Sequence, residues 1–172
     1  MAAQNPLLEV TVPVPFNAVQ SAHIEPAVDG LLTRSDERIE AISNAPSTYD
    51  GTLGALDMAT YELDYATGVA SHLEAVLGTD DLRNAFAAIL PKVSAFSSKI
   101  LLSEPLYRAL RRFAETDEAK KLDAPRARFL EKTLADFRRN GAELDAKGKE
   151  RLAAIDVALS ELTLKFSQNV VD

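Results

Sequence analysis

From Ser21 onward, apolar side chains return at every third or fourth position along nearly the whole chain. That period allows little other than helix. The clearest run is Leu82, Phe86, Ile89, Leu90, Val93, Phe96 and Ile100, which falls on one face of a 3.6-residue repeat. Pro91 lies inside this run. Because the period resumes beyond it, the proline is expected to kink the helix rather than end it.

Other stripes follow the same rule. Ile24, Val28, Leu31, Leu32, Ile39 and Ile42 predict a helix from Ser21, with Pro26 in its first turn and Asn44-Ala45-Pro46 as its stop. Leu53, Leu56, Leu63, Val69, Leu73 and Val76 predict a second long helix from an Asp50 cap to the break at Gly78-Thr79-Asp80-Asp81. Gly51, Gly54 and Gly68 weaken it by about 1 kcal/mol each against Ala, so packing must hold it. The aspartates of the break are expected to cap the third helix. Ser103-Glu104-Pro105 starts a fourth, running to about Ala114. Pro125 starts a fifth with Phe129, Leu130, Leu134 and Phe137, ended at Asn140-Gly141. A last helix starts near Asp145, with Leu152, Ile155, Leu159, Leu162, Phe166 and Val170 as its near-heptad seam.

Residues 1–20 read differently. Pro6, Pro13 and Pro15 fix their own φ and push their predecessors out of the helical region, so this stretch reads as an extended leader. VTVPV is a poor central strand for the same reason. The expected architecture is all-α: an antiparallel bundle of about six helices, residues 21–172, behind an extended proline-containing leader, residues 1–20. Short connections make sequence neighbours antiparallel.

Composition narrows the function. The 172 residues suit one core, and the absence of Cys excludes disulfides, Cys-bound zinc and a thiol nucleophile. It fits a reducing compartment, and no signal peptide opens the chain, so a cytoplasmic location is expected. Nowhere do about 18 apolar residues run together, which argues against a membrane partner. The formal charge of −7 disfavours general binding to nucleic acid. That charge is uneven. Residues 1–81 hold 13 acidic and two basic side chains, and residues 82–172 hold 13 acidic and 17 basic. Arg108, Arg111, Arg112, Lys120, Lys121, Arg126, Arg128, Arg138 and Arg139 could form a basic nucleic-acid face. The favoured reading is oppositely charged helices side by side, or plain solvated faces, because acidic residues interrupt the stretch and stacking aromatics are sparse.

Residues suited to chemistry are scarce. His23 and His72 are the two histidines. His23 reads as a surface or capping residue and His72 as a buried, hydrogen-bonded helix histidine. His72 and Glu74, like Glu62 and Asp64, are two apart and face different ways. No His-Glu-x-x-His, Glu-x-x-His, Gly-x-Ser-x-Gly or phosphate loop occurs, and Ser94, Ser97 and Ser98 sit in a helix with no exposing turn. Tyr49, Tyr61, Tyr65 and Tyr107 are expected to place rings at helix contacts with wet hydroxyls. No catalytic residue, metal ligand, cofactor site or substrate-binding residue is singled out.

Several stretches in order carry a resemblance: NPLL at Asn5–Leu8, PF at Pro15-Phe16, HIEPAV at His23–Val28, SHLEAV at Ser71–Val76, LRNAF at Leu82–Phe86, ILP at Ile89–Pro91, LADFRRNGAEL at Leu134–Leu144, and LSELTLKFSQNVVD to the end. Together they resemble the N-terminal region of the thimet oligopeptidase/oligopeptidase A family of zinc metallopeptidases, most nearly the bacterial oligopeptidase A branch. The resemblance implies a mostly helical parent whose two halves flank a narrow channel. Zinc would be held by His-Glu-x-x-His and a further Glu in the C-terminal half, which hydrolyses short peptides. This chain would be a non-catalytic channel wall restricting entry to short unfolded peptides, and its partner would be the catalytic domain of the same polypeptide. The parent is then an enzyme and this chain alone is not. Two readings follow for a chain ending inside a helical pattern: a segment of a longer enzyme, or a natural stand-alone helical interaction module dimerising through the Leu152–Val170 helix. The first is preferred, and it predicts exposed apolar residues and a fraying final turn near the C-terminus.

Overall fold

Hydrogen-bonding side chains set where the helices begin. The Thr79, Ser103, Asp123 and Asp145 side chains accept the backbone N–H groups of Leu82 (3.4 Å), Leu106 (3.4 Å), Arg126 (3.0 Å) and Gly148 (2.7 Å), each satisfying a donor the first turn leaves open. The computed structural model describes the backbone of residues 5–171, and the side chains of all of these except 168, 170 and 171. Among them are α1 (Ser21–Ser43), α2 (Leu53–Ala59), α3 (Tyr61–Leu77), α4 (Asp80–Leu101), α5 (Glu104–Ala114), α6 (Ala124–Arg139) and α7 (Ala146–Val171). Single 3-10 turns cover Pro6–Leu8, Phe16–Ala18 and Ala119–Lys121, and no described residue is in a strand. The fold is all-α. α4 runs unbroken through Pro91.

Two boundaries differ from expectation. The helix expected from Asp50 to Leu77 is divided at Thr60, and the third helix is capped by Thr79, with Asp80 and Asp81 in its first turn. α2 starts late because the chain first folds back on itself. The Tyr49 carbonyl accepts from Thr52 at 3.2 Å and from Gly54 at 2.8 Å. A Cβ on Gly51 would stand 2.6 Å from the Pro46 carbonyl oxygen, so only glycine allows this approach. Gly78 ends α3 at φ 58°, in the left-handed region.

α1 is the hub. Ile24, Ala27, Val28, Leu31, Ile39 and Ile42 are buried along it, and it packs against α2, α3, α4, α5 and the first 3-10 turn. Ion pairs give the directions. Lys92 of α4 meets Glu25 (2.9 Å) and Asp29 (2.7 Å) of α1, and Lys99 meets Asp36. Residue numbers rise together, so α1 and α4 run parallel and α3 returns between them. Two lysines of the later half thus lie against the acidic face of α1. These bonds hold Lys92 above its ordinary pKa, Asp29 contributing most.

The leader is tied down. The Asn5 amide donates to the His23 carbonyl (2.7 Å), and its oxygen accepts from Leu7 N–H (3.0 Å). Leu7 is buried against the core. Residues 5–20 carry two 3-10 turns where extended backbone was expected, since the Asn5 side chain holds the first turn closed.

α7 packs antiparallel to α4. The Ser94 and Ser160 hydroxyls meet at 2.7 Å, and Ser98 donates to Asp156 at 2.9 Å. Leu152, Ala153, Asp156, Val157, Ser160 and Leu164 are half-buried on this side. The near-heptad seam points away from this contact, as expected of exposed apolar residues near the C-terminus. Ile155, Leu159, Leu162 and Phe166 are exposed, Phe166 at 70%. Of the expected seam, Leu152 alone is turned partly inward, while the Val170 side chain and any fraying at Asp172 lie outside the described residues.

Phe113 is fully buried, with Tyr49 edge-on at 6.4 Å. Phe113→Ala is expected to lower unfolding free energy by about 3–5 kcal/mol, whereas exposed Phe166→Ser should change it by less than about 0.5 kcal/mol. Urea unfolding followed by circular dichroism measures both.

Candidate functional site

Arg34 and Arg38 are four apart on α1 and therefore share a face. They are the two basic residues of positions 1–81, and both reach Glu62 in the first turn of α3, at 2.8 Å and 3.3 Å. The hydrogen bond from Arg34 is the main cause holding the Glu62 carboxyl below its ordinary range. Partial burial opposes it, and Arg38 adds to it.

This cluster stands at the mouth of a groove of about 460 Å³ between α1, α2 and α3. The hollow exists because the facing positions are small: Ala41 of α1, Ala45 and Gly51 of the connection, and Ala55 and Ala59 of α2. Ile42 forms part of its wall, and the half-exposed Met58 and Tyr61 form its lip. An apolar hollow with a charged group at one edge has the make-up of a ligand site. Sequence reading missed it. The available signal was the pairing of the two lone arginines of an acidic half at helical spacing.

Residues considered for chemistry go elsewhere. His23 Nδ1 accepts the Gln20 N–H at 3.1 Å, a capping contact. His72 is exposed rather than buried, its ring 5.0 Å from that of Phe16, because its α3 face looks toward the leader and solvent. Ser94 and Ser98 bond to α7, and Ser97 donates to the Val93 carbonyl. Tyr107 also departs from expectation. It is buried against Phe137, and its hydroxyl donates to Glu143 at 2.9 Å rather than to water. Burial first, then that bond, raises its pKa. Among the described residues, no three His, Cys, Asp or Glu side chains are grouped to hold a metal ion. These residues do not fit a catalytic zinc, and no step is derived through one.

The basic stretch is largely engaged within the protein. Arg108 pairs with Glu104, Lys120 with Asp117, and Arg139 with Asp136. Arg112 donates to the Ser43 carbonyl. Arg126 lies 4.7 Å over the Tyr49 ring and Arg111 lies 5.9 Å over that of Tyr107.

The family model for the neurolysin/thimet oligopeptidase N-terminal domain matches residues 28–149. The chain belongs to this family. The matched span holds the whole groove and stops where α7 begins. Oligopeptidase A of Haemophilus influenzae is 30% identical over 173 residues, covering 100% of this chain and 25% of the relative. Organellar oligopeptidase A, chloroplastic/mitochondrial, of Arabidopsis thaliana is 28% identical over 99% of this chain and 22% of its own length. Oligopeptidase A of Escherichia coli is 30% identical over 98% of this chain and 25% of its own length. The chain thus spans about a quarter of the length of these oligopeptidases.

Two titrations test the site and its surroundings. A depressed folded pKa means that Glu62 stabilises the fold above its unfolded value and loses that contribution as pH falls through the folded one. The wild type should therefore exceed Glu62→Gln in stability near neutral pH, by under about 1 kcal/mol because the pair is solvent-accessible. The difference should shrink as pH falls through the lowered folded value and vanish below it, as read by urea unfolding across pH. Tyr107 has a raised value, so the part of the ultraviolet absorbance titration lost in Tyr107→Phe should be one that ionises above the ordinary tyrosine range.

Proposed function

We propose that this chain is the non-catalytic N-terminal domain of a zinc metallo-oligopeptidase. The carrying observation is the family match over residues 28–149, in a chain that spans about a quarter of the oligopeptidases it aligns with and contains no His-Glu-x-x-His. In this reading the leader, residues 1–20, and the helical body, residues 21–172, form one wall of a substrate channel. That wall admits short unfolded peptides and packs on a zinc-bearing C-terminal domain of the same polypeptide. The lack of cysteine and the Arabidopsis thaliana relative named as a probable cytosolic oligopeptidase A support a cytoplasmic location.

The exposed line of Ile155, Leu159, Leu162 and Phe166 on α7 is expected on the domain reading and equally serves a second one, a stand-alone interaction module. A patch of this kind marks an interaction surface. It would serve either the rest of a longer polypeptide or a second copy of a stand-alone module.

Reading the gene past the Asp172 codon separates the two. Continuation into His-Glu-x-x-His is expected, and an immediate stop codon would overturn the domain reading. The purified chain, given zinc and a quenched short peptide, should show no chelator-sensitive cleavage. Mass measured across a wide concentration range should stay that of one chain unless the module reading holds.

A further inference from the structure

The groove behind Arg34, Arg38 and Glu62 has a shape and a charge that no zinc chemistry elsewhere explains. Its volume, about 460 Å³, lies within the ~300–1,000 Å³ range of small-ligand sites. Its walls are apolar, so a bound group must be apolar along most of its length. Two guanidinium groups share one carboxylate at its edge, Arg38 and Glu62 lining the groove and Arg34 standing behind them. Arg38 lines the groove, and among the described residues it spends one of its five N–H donors on Glu62, at 3.3 Å. A planar fork with donors to spare matches a carboxylate. Exposed Glu37, Glu40 and Asp57 flank these elements along the chain and would repel a ligand carrying further negative charge.

We propose that this groove is a subsite for the C-terminal end of a short peptide, which places an apolar last side chain between α1 and α2 and its free α-carboxylate on Arg38. The choice of a peptide as carrier of that carboxylate rests on the domain reading above. Met58 and Tyr61, half-exposed at the lip, then cover the residue before the last. Arg34 is a positioning residue: it takes the stronger hold on Glu62 at 2.8 Å and so leaves Arg38 the weaker share. The subsite selects peptides with an apolar end, a free C-terminus and no acidic residue beside it.

The test is an amide-resolved nuclear magnetic resonance titration of the chain with acetyl-Ala-Ala-Leu bearing a free carboxylate, and with the same peptide as its C-terminal amide. The acid should shift amides around Ala41–Ala45 and Ala55–Glu62. The amide should bind at least about tenfold more weakly, as expected for loss of a charged hydrogen bond. Arg38→Gln should weaken the acid by about tenfold and leave the amide unchanged, with a far-ultraviolet spectrum like the wild type. Ala55→Trp should fill the groove and abolish both. Equal affinity for acid and amide, shifts centred elsewhere, or shifts with decanoate and none with the peptide would overturn the proposal. So would no binding at all. If the gene nevertheless runs on into His-Glu-x-x-His, the domain reading outlives that failure. A stop codon beside clear acid-selective binding has the reverse meaning: the subsite holds and the domain reading fails.

Discussion

Burial of α1 holds the rest of this molecule in place. Its inward residues, Ile24, Ala27, Val28, Leu31, Ile39 and Ile42, are all nearly inaccessible, and each of α2, α3, α4 and α5 packs on some part of it. A single side chain of this size contributes about 1.5–3 kcal/mol when fully buried, so no surface ion pair competes with the stripe in setting the fold. The ion pairs have another part. Lys92 and Lys99 meet Glu25, Asp29 and Asp36 in one register, which fixes how far α4 slides along α1. Apolar contact supplies the cohesion, and charge supplies the alignment.

That arrangement accounts for the uneven charge of the chain. The acidic half does not face solvent as a single field. Glu25, Asp29 and Asp36 lie against lysines of α4, while arginines of the later helices settle on carboxylates, a carbonyl and two tyrosine rings. The exception lies within the acidic half, where Arg34 and Arg38 outnumber Glu62 at the groove.

Helix type and most boundaries were legible because their causes are local: the Ser103 cap, Pro125 in the first turn of α6, Gly141 at a φ of 87° after it. The split at Thr60 was not, because it follows from the fold-back of residues 46–54, where the Tyr49 carbonyl takes two N–H groups and Gly51 lies against Pro46. The exposed face of α7 was legible as well: apolar residues near the C-terminus were expected to be exposed, and Ile155, Leu159, Leu162 and Phe166 are. What the pattern did not show is that α7 turns a polar side, Asp156 and Ser160, onto Ser98 and Ser94 of α4. The groove was silent in the sequence because alanine and glycine line it, and their contribution is the space they leave.

The hydroxyl-lined contact between α4 and α7 sets a hierarchy of opening. A helix that buries serine, one carboxylate and a few half-covered aliphatics gains little from leaving water. The free energy separating it from solution is therefore smaller than for α1 or α5. Opening of such a helix need not disturb the core around Phe113. α7 is thus the helix whose departure would cost this core least, because its contact with α4 rests on hydroxyls and half-covered aliphatics rather than on a buried stripe.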